Sequence, residues 1–430
     1  MSPDQLVVAG GTVLLPDGDA LVGASVVVRD GRIASISRDA PTGAPTRAGA
    51  RVVDAAGAFV LPGLVDAHFH LVSRSAAVAD EDLVAASMLE GVLNARERLR
   101  GGVTTVRDAG CRHRGVFSLR RAIEVGLLEG PRCYLAGRNP TGPSAPVHWR
   151  NVVVTSPTEA RAAVDAQLDA GADWVKCVLA HAEDPADWGT VTTYMDEPML
   201  RAAVERAHER GVRVGVHCEG YEVARMAVAC GVDVLDHAPL LDEETLAAMH
   251  ERDVVYVPTL WAFSADAGID LERLHPDRRR AIEGWRALHR ASVAMAAAAG
   301  VTIAAGSDAV GTLVPSDVLV RELEALSACG LSPSAVLAAA TVGGAAAIGD
   351  PGLDARLAPG SVADLLVVDA DPRSAGWEVL AAPRLVVAGG KPVAGPGAGL
   401  PASRSSDDLA EAARSFSGST DRWATEPVAP

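Results

Sequence analysis

Six side chains suited to holding metal ions stand at or just past the ends of apolar runs: His68, His70, Lys176, His217, His237 and Asp308. His68 and His70 are two apart. Residues i and i+2 of an extended strand share a face, so both imidazoles are able to meet one ion. Neutral imidazole ligates zinc and related metals. A His-x-His pair alone is not diagnostic, and His217 and His237 each also read as satisfied core histidines. Standing at successive strand ends, these two read better as the ligands of a second metal. Asp308 suits a helix N-cap; as the sixth member of the set it reads as a ligand that also takes a proton from water.

Lys176 is the sharper clue. It interrupts the apolar run Trp174–Val178, where an ammonium needs a partner. A salt-bridged or snorkelling lysine is the ordinary explanation. Yet among 39 basic residues the only lysines are Lys176 and Lys391, so chemistry that needs a primary amine accounts for the exception. A neutral amine adds carbon dioxide to give a carbamate whose two oxygens bridge two cations. Schiff-base formation is the rival use, and it leaves the surrounding histidines unexplained.

The elements that must position these groups follow a change of rhythm. Residues 4–60 read as short strands (5–9, 11–15, 24–28 and 32–35) separated by turns such as Arg29-Asp30-Gly31, a strong hairpin signal. From Phe59 short apolar strands alternate with helical patterns. Eight are expected: 59–68, 103–110, 132–137, 173–179, 213–218, 233–237, 254–260 and 301–308. The helix over 82–100 has Leu83, Ala86, Met88, Leu89, Val92, Leu93 and Leu99 as its apolar face, and that over 197–210 ends at Gly211. Eight successive βα units predict an α/β fold of the (β/α)8 TIM-barrel type, with the active site at the strands' C-terminal ends; a doubly wound sheet is the competitor. Strand patterns return at 364–368 and 385–388, and predict a small β domain built from both chain ends. The expected division is 1–60 with 350–395 as a β-sandwich domain, 61–349 as the barrel, and 396–430 as a tail with a short helix near 407–414.

The motifs together resemble the amidohydrolase superfamily, in its imidazolonepropionase-like and prolidase-like branch. The stretches that carry the resemblance are Gly63–His70 (GLVDAHFH), Gly101–Gly110, Ala172–Val178, Val214–Gly220 (VGVHCEG), Asp233–Pro239 (DVLDHAP), Ile303–Val310 (IAAGSDAV), Leu331–Thr341 and Leu357–Pro372. The resemblance implies a barrel flanked by a β-sandwich and a binuclear centre of two divalent metal ions, usually zinc. His68, His70 and Asp308 would bind the first ion and His217 and His237 the second, bridged by carbamylated Lys176 and a hydroxide. Asp308 would be the catalytic proton shuttle. Departures fall on the substrate-reading groups. Glu219 replaces the second histidine of the HAH pattern, His148 lies in a loop lacking the Gly-Gly-His pattern, and Leu179-Ala-His181-Ala-Glu183 replaces a Thr-Gly-Gly loop. His148, His181 and Glu219 are the candidate substrate-binding residues; His148 is also readable as a surface histidine, and an acidic residue such as Glu219 or Glu183 near the mouth would suit a cationic substrate, though both also read as solvated loop carboxylates. Arg107 and Asp108 are expected to form a barrel ion pair.

Composition excludes other classes. With 39 basic and 55 acidic residues the formal net charge is −16, and aromatics are 4%, which argues against nucleic acid and anionic membranes as partners. No basic residue precedes Arg29, and the apolar run 291–306 falls short of the ~20 residues that span a bilayer. Six cysteines form no CxxC pair and read as reduced thiols in a cytoplasmic protein. The expected partner is a small-molecule substrate, with homo-oligomerisation left open. The expected activity is hydrolysis of an amide in a dipeptide, N-acyl amino acid or cyclic amide. The alternatives are lactone or phosphoester hydrolysis, deamination, natural-product tailoring on the same centre, or a non-catalytic metal-stabilised binding protein.

Overall fold

The structure is a computed structural model and describes residues 5–15, 18–38, 50–72, 81–145, 151–182, 191–263, 275–310 and 314–396. Strands β1 (Gln5–Leu14), β2 (Ala20–Arg29), β3 (Arg32–Ser37), β4 (Arg51–Asp54) and β5 (Phe59–Pro62) open the chain. The 5–9 and 11–15 segments form one strand, bent at Gly10 and Gly11. Gly10 has φ +75°, and a Cβ on Gly11 would stand 2.9 Å from Val60. The bend lets the first half of β1 pair with β4 and the second half with β5. Asp30 and Gly31 both have positive φ, 50° and 75°, as a tight hairpin turn between β2 and β3 requires. The chain's far end adds β17 (Leu365–Val368), β18 (Leu385–Ala388) and β19 (Lys391–Ala394) to the same sheet. Among the described residues the pairing is continuous: one eight-stranded sheet from both ends, where two facing sheets were expected. Its alternating inward residues, including Val8, Val26, Val60, Leu365 and Val387, form a separate apolar core.

The expected strand over 59–68 is divided. β5 belongs to the eight-stranded sheet, and β6 (Leu64–Phe69) begins the parallel strands. The chain crosses at Gly63, where a Cβ would fall 2.2 Å from the Thr104 hydroxyl. β6, β7 (Val103–Asp108) and β8 (Arg132–Leu135) form one parallel sheet. β9 (Asn139–Thr141), β10 (Asn151–Val153), β11 (Val175–Val178), β14 (Val214–Cys218), β15 (Val234–His237) and β16 (Val255–Val257) form a second, while β12 (Ala180–Ala182) and β13 (Val191–Thr193) make a small hairpin. The two parallel sheets are linked where Asp173 N–H donates to Leu135 O at 2.8 Å.

The segment 301–308, expected as a strand, has no regular ladder. It makes one single bridge, Ile303 with Tyr256, and a second follows just past it, Ala309 with Phe69. It still donates and accepts on both sides: Tyr256 N–H to Thr302 O, Ala304 N–H to Tyr256 O, Ala67 N–H to Ala305 O and Asp308 N–H to His68 O, at 2.7–2.9 Å. A side chain at Gly306 would collide with Val257 and His68, at 2.6 and 2.7 Å, so only this small-residue run threads between them.

Helices α1 (Glu81–Arg100), α2 (Gly115–Glu124), α3 (Pro157–Asp169), α4 (Glu197–Glu209), α5 (Tyr221–Cys230), α6 (Glu243–Glu251), α7 (Pro276–Ala298) and α8 (Val318–Ala328) alternate with the parallel strands. Ser156, Asp196 and Asp242 cap α3, α4 and α6 through their side chains. Gly211, with φ +74°, stands just past α4. Leu89 and Leu93 of α1 are 67% and 46% exposed, so the expected apolar face is narrower than its leucines suggested. Among the described residues no helix is long and apolar enough to cross a membrane.

Candidate active site

The parallel strands end around a cavity of about 170 Å3. Its lining includes His68, His70, Lys176, His217, His237 and Asp308, with His181, Asn139, Val178 and Tyr194 on its walls. All six residues expected as metal ligands therefore meet at one place. The imidazoles are close neighbours: ring centroids lie 5.5 Å apart for His68 and His70, 4.8 Å for His68 and His237, and 4.3 Å for His217 and His237. Asp308 Oδ1 stands 3.3 Å from Nε2 of both His68 and His70, and its Oδ2 stands 4.0 Å from His237 Nδ1.

Each histidine also faces a group outside the cluster. His68 Nδ1 lies 3.1 Å from Asp236, His70 Nδ1 3.2 Å from Gly110 O, His217 Nε2 3.3 Å from Glu219, and His237 Nδ1 2.7 Å from Thr259 Oγ1. The Thr259 hydroxyl donates to Pro258 O at 2.7 Å, so it accepts from His237. That fixes the proton on Nδ1 and leaves the Nε2 lone pair for another partner. An outward partner on one ring nitrogen is what orients a metal-ligating histidine. Burial, reinforced by His217, also holds His237 well below the usual histidine range. The residues present thus fit a metal centre. Two ligand groups are close enough to hold an ion: His68, His237 and Asp308, and His181, His217 and Glu219. This grouping differs from the expected one, in which His237 shares an ion with His217.

Lys176 is 2% exposed. Its Nζ is ion-paired with Asp236, and Arg107 reaches the same carboxylate at 3.1 Å. Burial lowers the Lys176 pKa. Burial would raise that of Asp236, but Lys176, Arg107 and His68 together hold it well below the carboxylate range. Arg107 also stacks on Trp174 at 3.5 Å and donates to Ala67 O. The expected Arg107–Asp108 pair is not formed. Adjacent strand residues face opposite ways, and Asp108 instead accepts from the N–H groups of Leu71 and Gly110. Asp236, which anchors Lys176, Arg107 and His68, was missed by the sequence reading although it directly precedes His237.

Glu219 does not stand at an acidic mouth. It is fully buried and accepts from His181 Nδ1 at 2.8 Å. Burial opposes its ionisation, yet His181 and His217 hold its pKa down to about 2. His181, on β12, is brought to the cavity, whereas His148 and Glu183 lie outside the described residues. Three further groups had no strong sequence signal. Asp66 accepts from the backbone N–H and hydroxyl of Ser307, at 2.9 and 2.7 Å, and joins β6 to the 301–308 segment. Glu322 of α8 accepts from the N–H groups of Leu260 and Trp261, at 3.0 and 2.7 Å. Burial pushes its pKa up to about 8. His289 of α7 is buried and held down to about 3, in contact with the backbone of His237.

Four close imidazoles, a carboxylate and a lysine at parallel strand ends, beside a sheet built from both ends of the chain, define an α/β protein with a candidate metal centre. The chain belongs to the amidohydrolase family, whose model matches residues 59–393; members of this family are hydrolases. It is 30% identical over 383 residues to an uncharacterized protein of Mycobacterium tuberculosis, covering 88% of this chain and 93% of that one. It is 25% identical over 435 residues to an ochratoxinase of Aspergillus niger, covering 91% and 87%. A solved structure from Bifidobacterium longum, provisionally described as a prolidase, is 28% identical, covers 96% and 99%, and has a TM-score of 0.78.

Proposed function

We propose that this protein hydrolyses an amide (C–N) bond of a small molecule at a binuclear metal centre, in the mouth of a (β/α)8 barrel spanning 61–349. The carrying observation is that four histidines, Asp308 and Lys176 converge on one cavity, with His70 and His237 each hydrogen-bonded outward through one ring nitrogen, the arrangement that prepares ligands. His68, His70 and Asp308 would hold one ion, His217 and His237 the other, with carboxylated Lys176 between; zinc suits this donor set. Bound ions of this kind polarise a carbonyl and lower the pKa of water.

The chain's own residues do the rest. Asp308 Oδ2, the oxygen farther from the histidines, takes the proton of the attacking water and passes it to the leaving nitrogen. Positioned acid–base groups of this kind contribute ~10²–10⁴-fold. The Asn139, Val178 and Tyr194 walls hold the substrate over Asp308. Carboxylation of Lys176 requires its pair with Asp236 to open, and Arg107 remains to neutralise that carboxylate. A neighbour described as a prolidase supports an amide as the target. The test is turnover of dipeptides, N-acyl amino acids, lactams, lactones and phosphoesters by zinc-loaded protein. The best substrates belong to an amide class; turnover of lactones or phosphoesters with every amide inert overturns the bond assignment.

A further inference from the structure

A second cavity, of about 410 Å3, lies between the end of α7 and helix α9 (Pro333–Ala338). Among the described residues none lines both this cavity and that of the candidate ligands. Val301 and Ile303 line it from the 301–308 segment, and Val342 from a π-helical turn, Ala339–Gly343. The turn lies directly on the segment. Ala305 N–H donates to Ala339 O at 2.9 Å, and a Cβ at Gly343 would stand 2.3 Å from Ile303 O. Local π-helix in a helical run often marks a functional place. A narrower recess of about 40 Å3 shares Ala338, Val342 and Arg356 with the cavity and reaches Arg373. No carboxylate is among the described residues that line either space. Arg373 is already engaged by Asp371 and by Gly18 O, at 2.9 and 2.6 Å. Arg356 is exposed, and among the described residues no carboxylate pairs with it. Beside Arg356, Thr302 is the one polar side chain of the larger cavity; the other walls are alkyl surface.

We infer that this cleft binds a free amphipathic carboxylate, its alkyl chain on the alanine, valine and isoleucine walls and its head group on Arg356. The volume falls in the range of small-molecule sites, which combine apolar walls with a few polar groups that fix orientation. Charge selects the head group. The chain has a net charge of −16, yet it supplies this guanidinium with no carboxylate, and a ligand carboxylate matches it in sign and in fork geometry. A peptide suits the cleft less well. Each of its residues brings a backbone N–H and C=O that need partners, and alkyl walls offer none. An alkyl chain needs none, and each CH2 removed from water strengthens binding by up to about fourfold.

The experiment titrates the methyl-labelled full chain with octanoate, octan-1-ol and octylammonium, read by NMR at Ile303 and Val342, which line the cleft. Wild type binds octanoate roughly 3- to 10-fold more tightly than octanol, a preference between that of an exposed ion pair and that of a buried charged hydrogen bond. Octylammonium binds more weakly than either, and hexanoate more weakly than octanoate. Arg356→Gln removes the preference for the carboxylate and leaves octanol binding as it was. Ala335→Trp fills the cleft and abolishes the response to all four compounds. Arg356 and Ala335 are both exposed, so neither substitution disturbs the core. Equal affinity of wild type for octanoate and octanol overturns the inference, and so does an octanoate preference that survives Arg356→Gln. No response at Ile303 and Val342, as when a second copy of the chain or a peptide covers the cleft, overturns it too.

Discussion

Thr259→Val isolates the tuning of one ligand. Thr259 is fully buried, and its hydroxyl bridges Pro258 O and His237 Nδ1, at 2.7 Å each. Valine has nearly the same shape and, like threonine, is β-branched, so the strain of φ +52° at this position is not altered. What changes is that the His237 N–H loses its acceptor in a closed site. An unsatisfied buried donor costs about 1–3 kcal/mol, which is roughly 5- to 150-fold in an equilibrium constant. Loss of a ligand's outer partner typically weakens metal binding 10- to 100-fold, so the two estimates agree. The assay is chelator competition with zinc-loaded protein. Thr259→Val releases its weaker-held ion at roughly tenfold or more lower chelator concentration, while Thr259→Ser, which keeps the hydroxyl, behaves as wild type. Equal retention in wild type and Thr259→Val refutes the argument that Thr259 prepares His237. Equal loss in the serine and valine variants refutes it as well, since packing would then be the cause.

Asp308→Asn keeps the fold but lowers turnover by ~10²-fold or more in steady-state assays; near-full activity removes Asp308 from proton transfer. Glu322 carries a raised pKa, from 4.5 to about 8, so the native state binds a proton that the unfolded chain releases. Its contribution is fully present below about pH 4.5, is lost as pH rises towards about 8, and is flat above. Urea melts across this range show that slope in wild type and a flatter one in Glu322→Gln. Gly215→Ala would bring a Cβ within 2.1 Å of the Arg107 guanidinium and 2.8 Å of Trp174. Overpacking there costs about 1–3 kcal/mol in denaturant unfolding.

The convergence of the candidate ligands on one cavity was legible because strand geometry is local. His68 and His70 share a face by their spacing, and Lys176 stood out in a chain with two lysines. What could not be read was which distant strands face one another. Arg107 was assigned to its neighbour Asp108, but the alternation of strand side chains sends it across to Asp236, 129 residues away. Glu219 was read at the mouth, or as a solvated loop carboxylate, because its position just past a strand end says nothing of burial; the β12 hairpin brings His181 to it and closes it off. The 301–308 segment has the composition of a strand, yet its glycine and alanines serve close approach to His68 and Val257 and not a regular ladder. Thr259 and Glu322 act through backbone turns and a helix face, and neither leaves a motif.

The proposed chemistry stands or falls with a two-metal centre built on these residues. Elemental analysis of protein purified without chelator, paired with a high-resolution crystallographic map of the Lys176 side chain, decides the matter. About two divalent ions per chain and a carboxylated Lys176 are expected, with one ion lost on Thr259→Val under mild chelation. One ion or none per chain, with Lys176 unmodified, would contradict it.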